Sequence, residues 1–440
     1  MKFTVGREVL GDAVAFVARA LPPRPVVPQL SAMLIQAGPD GLSLSCFDYE
    51  VSARALVDAE VSEPGMALVP GRLLAEITRS LPRLDASFSA DGEMVTLTCG
   101  HAEFGLVCLP AAEYPALPES PPPVGTVDGG LLASAIGQVA PAAARDDSVP
   151  MLTAVCVDVS GDVLTLAATD RYRLAARDLA FQPAEPGLRA LALVPARIIV
   201  EAARMLAAGV PATVGFAADE DPAGRGSAQP RPAEGLISLE SRGKRLTARL
   251  IGGEYIRYRN RFPEEFDCRA ELPADLMIEA VRRAALIAER AGPVRLSFQP
   301  DQVLIEAHAE GRARAAETVA ASFAGEQPVI SFSPYFLLDG LTAAAAGAAA
   351  ADGATGGDAE EAGGPDGPGD DAAAAAASSQ HVAAREHGRI RLQFSSPAKP
   401  ALITWIAAGS RPSRGGPGGP DHADPPFRYL LVPQRVQPRA

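Results

Sequence analysis

Three stretches of this chain share one grammar. ALVPGRLLAEITRSLP at 67–82, ALVPARIIVEAARMLAAG at 192–209 and VISFSPYFLLDGLTAA at 329–344 each run from a short apolar strand, through a Pro at or near the first helical turn, into an amphipathic helix. Their starts lie 125 and then 137 residues apart. That period is too long for a solenoid and matches a whole domain copied three times within one polypeptide.

Other landmarks repeat in the same order. Helical patterns occur at 7–21, 129–144 and 274–290. GLSLSCFDYEVSARA (41–55) matches VLTLAATDRYRLAAR (163–177), with Asp48 opposite Asp170, and QVLIEAHAEGRARAAE (302–317) is a weaker third copy. EFGLVCLPAAEYPAL (103–117) matches KRLTARLIGGEYIRY (244–258), with Glu113-Tyr114 opposite Glu254-Tyr255. Four landmarks in one order disfavour coincidental patterning in an Ala-rich chain. Each copy reads as strand–helix–strands taken twice.

The helical period assigns faces. Helix 7–21 is expected to bury Val9, Leu10, Val14 and Val17, leaving Arg7, Asp12 and Arg19 outside. The helix from about Ala274 to Arg290 should bury Met277, Val281, Ala284 and Ala288, with Glu279, Arg282, Arg283 and Arg290 on the other face. Leu286 falls on that polar face, which points to a protein–protein contact.

The length of 440 residues suits about three domains. MKFTVGREVL opens as a strand rather than a signal peptide. Five scattered cysteines without CxxC spacing read as buried reduced thiols, so the chain is expected to be soluble and cytosolic.

The net charge of −13 argues against plain electrostatic DNA binding, but its placement matters more. Residues 345–384 carry seven acids and no base, in a low-complexity tract that reads as unfolded. Segments 217–235 and 408–426 read as further disordered loop expansions. Arginine recurs on equivalent helices, at Arg7, Arg19, Arg72, Arg79, Arg197, Arg204, Arg282, Arg283 and Arg290, while lysine is confined to Lys2, Lys244 and Lys399. The repetition favours a basic surface that meets phosphates without reading bases.

Catalysis finds little footing. HExxH, GxxxxGK[ST], GxSxG and a helix-opening GxGxxG are all missing, and the five histidines are scattered. Asp170, followed by Tyr172 and Arg173, reads as a turn-fixing ion pair rather than an acid site. No catalytic residue, metal or cofactor is expected.

Several stretches carry a resemblance: MKFTV opening a helix, Arg24 in LPPRPVVP, FDYEVSAR (47–54), ATDRYRLA (168–175), GGEYIRYRNRFP (252–263) and YLLVPQRV (429–436). Together they resemble the bacterial DNA polymerase III β subunit family, the sliding clamps, and the TDRYR form is similar to actinobacterial members. The resemblance implies an α+β fold of three repeated DNA-clamp domains, at 1–122, 123–263 and 264–440, with inner helices and outer sheets. Disordered inserts are then expected at about 217–235, 345–388 and 408–426. It implies a non-catalytic, ring-shaped homodimer in the cytoplasm, associated with the nucleoid and with no membrane attachment. The ring would encircle double-stranded DNA without sequence preference. It would tether the DNA polymerase III catalytic subunit, the clamp loader complex, and other polymerases and repair factors that carry short peptides. A clamp-fold adaptor in repair or regulation, without replicative duty, is the second reading, and native mass separates the two.

Residue by residue, the resemblance puts DNA contacts at Arg24, Arg72, Arg145 and Arg197. It puts a partner-peptide pocket at Leu152, Thr169, Arg171, Tyr172, Arg173, Leu174, Ile256, Val432, Pro433, Gln434, Arg435 and Val436. The dimer interface carries over to Phe104 and Leu106 on one side and to Leu286 and Ile287 on the other. The chain departs from the family pattern at Ile256, where Pro is usual, at Arg261, where a hydrophobic residue is usual, and at Pro150-Met151, which replaces an aromatic pair. Glu103 stands where a base is common, with Arg312 and Arg314 expected on the facing edge.

Overall fold

A computed structural model describes residues 1–25, 27–217, 232–288, 292–309, 312–355, 388–406 and 426–434. Most of each expected insert, together with Arg290, Arg435 and Val436, lies outside these residues. The chain divides into two compact units.

The first unit comprises residues 1–136, 146–166 and 179–255. It holds a five-stranded antiparallel sheet ordered Glu60–Glu63, Lys2–Val5, Ala86–Ala90, Met94–Cys99, Ala102–Val107. It also holds a nine-stranded sheet that joins the first two repeats, because Lys244–Ala248 pairs antiparallel with Ala55–Val51. Helices α1 (Arg7–Arg19) and α2 (Gly71–Ser80) pack together here. Phe3 and Phe88 stack at 4.7 Å in the core.

The buried stripe of α1 is Leu10, Ala13, Val14, Phe16 and Val17. Val9, expected inside, is 53% exposed. At 100° per residue, positions 10, 13, 14 and 17 close one face, and position 9 falls on its flank.

Three strand-to-helix junctions place Pro where the grammar predicted. Pro70 and Pro195 cap α2 and, after α3 (Gly129–Val139), α4 (Ala196–Ala203), while Pro334 opens α6 (Pro334–Thr355). Proline suits these places because the first helical N–H groups have no intrahelical partner to lose.

The second unit comprises residues 137–145, 167–178 and 256–440. Residues 173–177 pair with Phe427–Leu431, and the sheet continues through Ala401–Ile406, Arg389–Phe394, Cys268–Pro273 and Ser322–Ala324. A four-stranded sheet runs Ala313–Ala320, Gln302–Ala309, Val294–Phe298, Val329–Phe332. Phe298 links the two, 5.0 Å from Phe394 and 5.4 Å from Phe323. Helix α5 (Ala274–Ile287) packs on α6 and on the edge strand Ala313–Ala320.

Helix α6 reaches Thr355, beyond the point near 344 where the insert was expected to begin. Seven of the eleven residues at 345–355 are alanine, the best helix former. Gly347 lies where a Cβ would come within 2.9 Å of Trp405 Cδ1, so the helix approaches Trp405 through a residue without a side chain.

Candidate functional site

The site is built on the tight turn after Thr169. The Asp170 carboxylate accepts the N–H of Tyr172 and of Arg173, both at 3.0 Å, and Arg171 takes the left-handed conformation at φ 79°. The Thr169 hydroxyl donates to the Arg173 carbonyl at 2.6 Å and accepts the Arg171 N–H. Asp170 is thus a turn-builder, as its place in the sequence suggested. The same turn recurs in the first unit: Asp48 accepts the N–H of Glu50 and Val51, and Tyr49 sits at φ 73°.

Arg173 anchors this turn within the second unit. Its Nε donates to Asp170 at 2.9 Å, its Nη1 to Asp339 and, at 3.4 Å, to the Tyr429 hydroxyl, and its Nη2 to the Pro141 carbonyl. The guanidinium also lies 4.3 Å from the Phe336 ring centre. Burial alone would favour the neutral form of Arg173, but the Tyr429 oxygen and the two carboxylates outweigh it and hold the charge firmly in place. Burial pushes the Tyr429 hydroxyl up, so it stays protonated and donates to the Phe336 carbonyl at 2.8 Å.

Strand register then makes a face. Leu174 stands opposite Leu430, Ala176 opposite Arg428, and the Val432 N–H donates to the Tyr172 carbonyl at 2.9 Å. Successive side chains alternate sides, so Arg428, Leu430 and Val432 share the side opposite Tyr429, which is tied to α6. Leu174 and Leu430 form an apolar floor, while Val432 is 38% and Tyr172 62% exposed. The Tyr172 ring stacks on Phe336 at 6.1 Å, and the Gln434 N–H donates to the Ser331 carbonyl at 2.8 Å.

Of the expected pocket residues, Thr169, Arg171, Tyr172, Arg173, Leu174, Val432, Pro433 and Gln434 fall on this turn and strand end. Ile256 is half-buried in the same unit, and its carbonyl accepts the Tyr258 N–H. Leu152 is buried in the short helix Pro150–Thr153 of the first unit. Sequence reasoning missed Leu430, Phe336, Asp339 and Tyr429. Leu430 was recoverable, since i, i+2 alternation in YLLVPQRV pairs it with Val432. The α6 residues gave no local signal.

The four expected DNA-contacting arginines are all exposed. Arg72 donates to the Pro22 carbonyl at 3.1 Å, and none of the four pairs with a carboxylate among the described residues. The expected interface residues divide. Ala102–Val107 and Ala313–Ala320 are sheet edges, each paired on one side only among the described residues. Phe104 is half-buried, and Leu106, at 1% exposure, points into the core, so its side chain is a packing residue and only its backbone lies on the edge. Leu286 is 81% exposed, as its place on the polar face of α5 predicted, and Ile287 is half-buried. Beside them Arg283 forks onto Glu317 at 2.9 and 2.8 Å, a hydrogen-bonded pairing that holds the Glu317 carboxyl below its ordinary range. Arg314 is engaged by Glu306 at 3.0 Å, which leaves Arg312 as the edge cation without a carboxylate among the described residues.

Three family models match in order: the DNA polymerase III beta subunit N-terminal domain at 1–118, its central domain at 126–256 and its C-terminal domain at 259–349. The chain belongs to the DNA polymerase III beta subunit family. It is 46% identical over 343 residues to a Beta sliding clamp of Streptomyces coelicolor, covering 78% of this chain and 88% of that protein. A Beta sliding clamp of Micrococcus luteus is 42% identical, covering 72% and 98%. The solved DNA polymerase sliding clamp of Bacillus subtilis superposes with a TM-score of 0.76 at 22% identity, over 99% of each chain. The fold is therefore three clamp domains, and the chain is a sliding clamp, a processivity factor of DNA polymerase III without catalytic chemistry. These relatives favour the clamp over the adaptor reading.

Proposed function

We propose that two copies close head to tail, the Ala102–Val107 edge of one pairing with the Ala313–Ala320 edge of the other, to encircle duplex DNA. Support comes from the two sheet edges and above all from Leu286, 81% exposed beside one of them. An open edge and a large exposed apolar side chain are both liabilities unless a partner covers them. Arg24, Arg72, Arg145 and Arg197 meet the phosphates, whose sequence-independent attraction permits sliding.

The groove over Leu174, Leu430 and Val432 takes short extended peptides from the polymerase catalytic subunit, the clamp loader and other factors. The domains run 1–122, 123–263 and 264–440. The protein works in the cytoplasm on the nucleoid; no described helix is long and apolar enough to cross a membrane. Light scattering of the full chain at micromolar concentration tests closure: a dimer is expected, and a strict monomer overturns the ring.

A further inference from the structure

The two copies of the turn serve as internal controls for one another. They share a backbone: the Arg249 N–H donates to the Glu50 carbonyl at 3.0 Å, as the Val432 N–H does to that of Tyr172. Thr247 stands opposite Ser52, as Leu430 does opposite Leu174. Their side chains differ in kind. In the first copy Arg249 also donates from Nε to the Tyr49 carbonyl at 3.2 Å and lies 3.6 Å from the Glu50 carboxylate, so that turn balances its own charge over a floor of Ser52 and Thr247. In the second copy Tyr172 replaces Glu50, Val432 replaces Arg249, and leucines replace Ser52 and Thr247. The cation moves to Arg171, at the left-handed position, exposed and with no carboxylate partner among the described residues.

The opposite end of the apolar face has a similar imbalance. Phe262 lies under the Arg428 guanidinium, 5.0 Å away, and Arg428 is neutralised by Asp178 at 2.8 Å. Arg261, the next residue back, is exposed and makes no ion pair among the described residues, although Glu264 and Glu265 follow it closely in sequence. Residues 172 and 176 mark the two ends. At about 3.3 Å per residue they lie roughly 13 Å apart, the reach of about four extended residues. Exposed cations without a carboxylate among the described residues thus stand near both ends of the apolar strip, Arg171 at one and Arg261 at the other.

The geometry points to a charge preference in this groove: its peptide carries apolar anchors over Leu174, Leu430 and Val432 and carboxylates at both flanks, one for Arg171 and one for Arg261. This rests on the peptide-groove reading above and adds the chemical class of the partner. The two pairs are exposed, so together they contribute roughly a fivefold gain in affinity, screened by salt.

Titration calorimetry on the full chain would use two synthetic peptides with the same Leu and Phe anchors, one flanked by Asp and Glu and one by Asn and Gln. The acidic peptide should bind about fivefold tighter at low salt, and the ratio should fall toward one in 0.5 M NaCl. Arg171→Asn, which suits the left-handed turn, combined with Arg261→Gln should collapse the ratio in the same way. Equal binding of the two peptides overturns the charge preference and leaves the groove standing; a ratio that survives the double variant overturns the assignment of the carboxylates to Arg171 and Arg261. Failure of both peptides to bind overturns the groove itself.

Discussion

Removing the Arg173 guanidinium should loosen the second unit far more than removing its exposed partner. Arg173→Met keeps a buried aliphatic stem but deletes the guanidinium's contact with Phe336 and its bonds to Asp170, Asp339, Tyr429 and Pro141. Breaking a buried ion pair costs about 3–5 kcal/mol. Asp170 keeps its two backbone N–H donors, so its charge is not stranded, and the low end near 3 kcal/mol applies. Asp339 is 39% exposed, so Asp339→Ala should cost only about 1 kcal/mol. The single tryptophan, Trp405, lies in the central strand Ala401–Ile406 of this unit, and its fluorescence reports the unit's unfolding. With a urea slope of about 2 kcal/mol/M, the midpoint should fall by roughly 1.5 M for Arg173→Met and 0.5 M for Asp339→Ala. The double variant should unfold close to Arg173→Met alone, because the two residues share one interaction. Equal shifts for the two single variants, or a shift below about 0.5 M for Arg173→Met, would refute the view of Arg173 as the hub of the turn.

Leu286→Asp and Phe104→Asp should each bury a charge at the subunit contact and yield folded monomers by light scattering, and two stable dimers would show the interface to be elsewhere. Leu174→Ala should weaken an anchor peptide at least tenfold by calorimetry without dissolving the dimer; unchanged affinity would remove Leu174 from the groove floor. Cys46 is fully buried with its thiol pushed up to about 12 by burial, and half-buried Cys108 should be the first thiol labelled by a disulfide reagent at pH 8. Labelling of Cys46 in the folded protein would contradict that core.

Much of this was legible in the sequence because a triplicated domain states each signal more than once. The Pro-led helices, the paired turns at Asp48 and Asp170 and the apolar stripe of α1 all follow from local rules of spacing and turn chemistry. What was not legible depends on partners distant in sequence. Asp339 has meaning only because α6 crosses the strand pair that carries Arg173 and Tyr429. Leu106 resembles its edge-strand neighbour Phe104, and alternation places both on the packing side, but only the core behind them decides that Leu106 is sealed while Phe104 stays partly open. Val9 failed for a simpler reason: a flank residue sits within one turn of the buried stripe. The extension of α6 was hidden because polyalanine reads equally as low-complexity filler and as a strong helix.

The central claim is that the protein holds DNA by enclosure rather than by adhesion. The direct measurement is retention on a closed primed circle, after loading by a cognate clamp loader, before and after a single restriction cut at moderate salt. The ring account predicts stable retention on the circle and rapid loss once the DNA has ends. Equal retention on circular and linear DNA would contradict it, because binding through phosphate contacts alone takes no notice of ends.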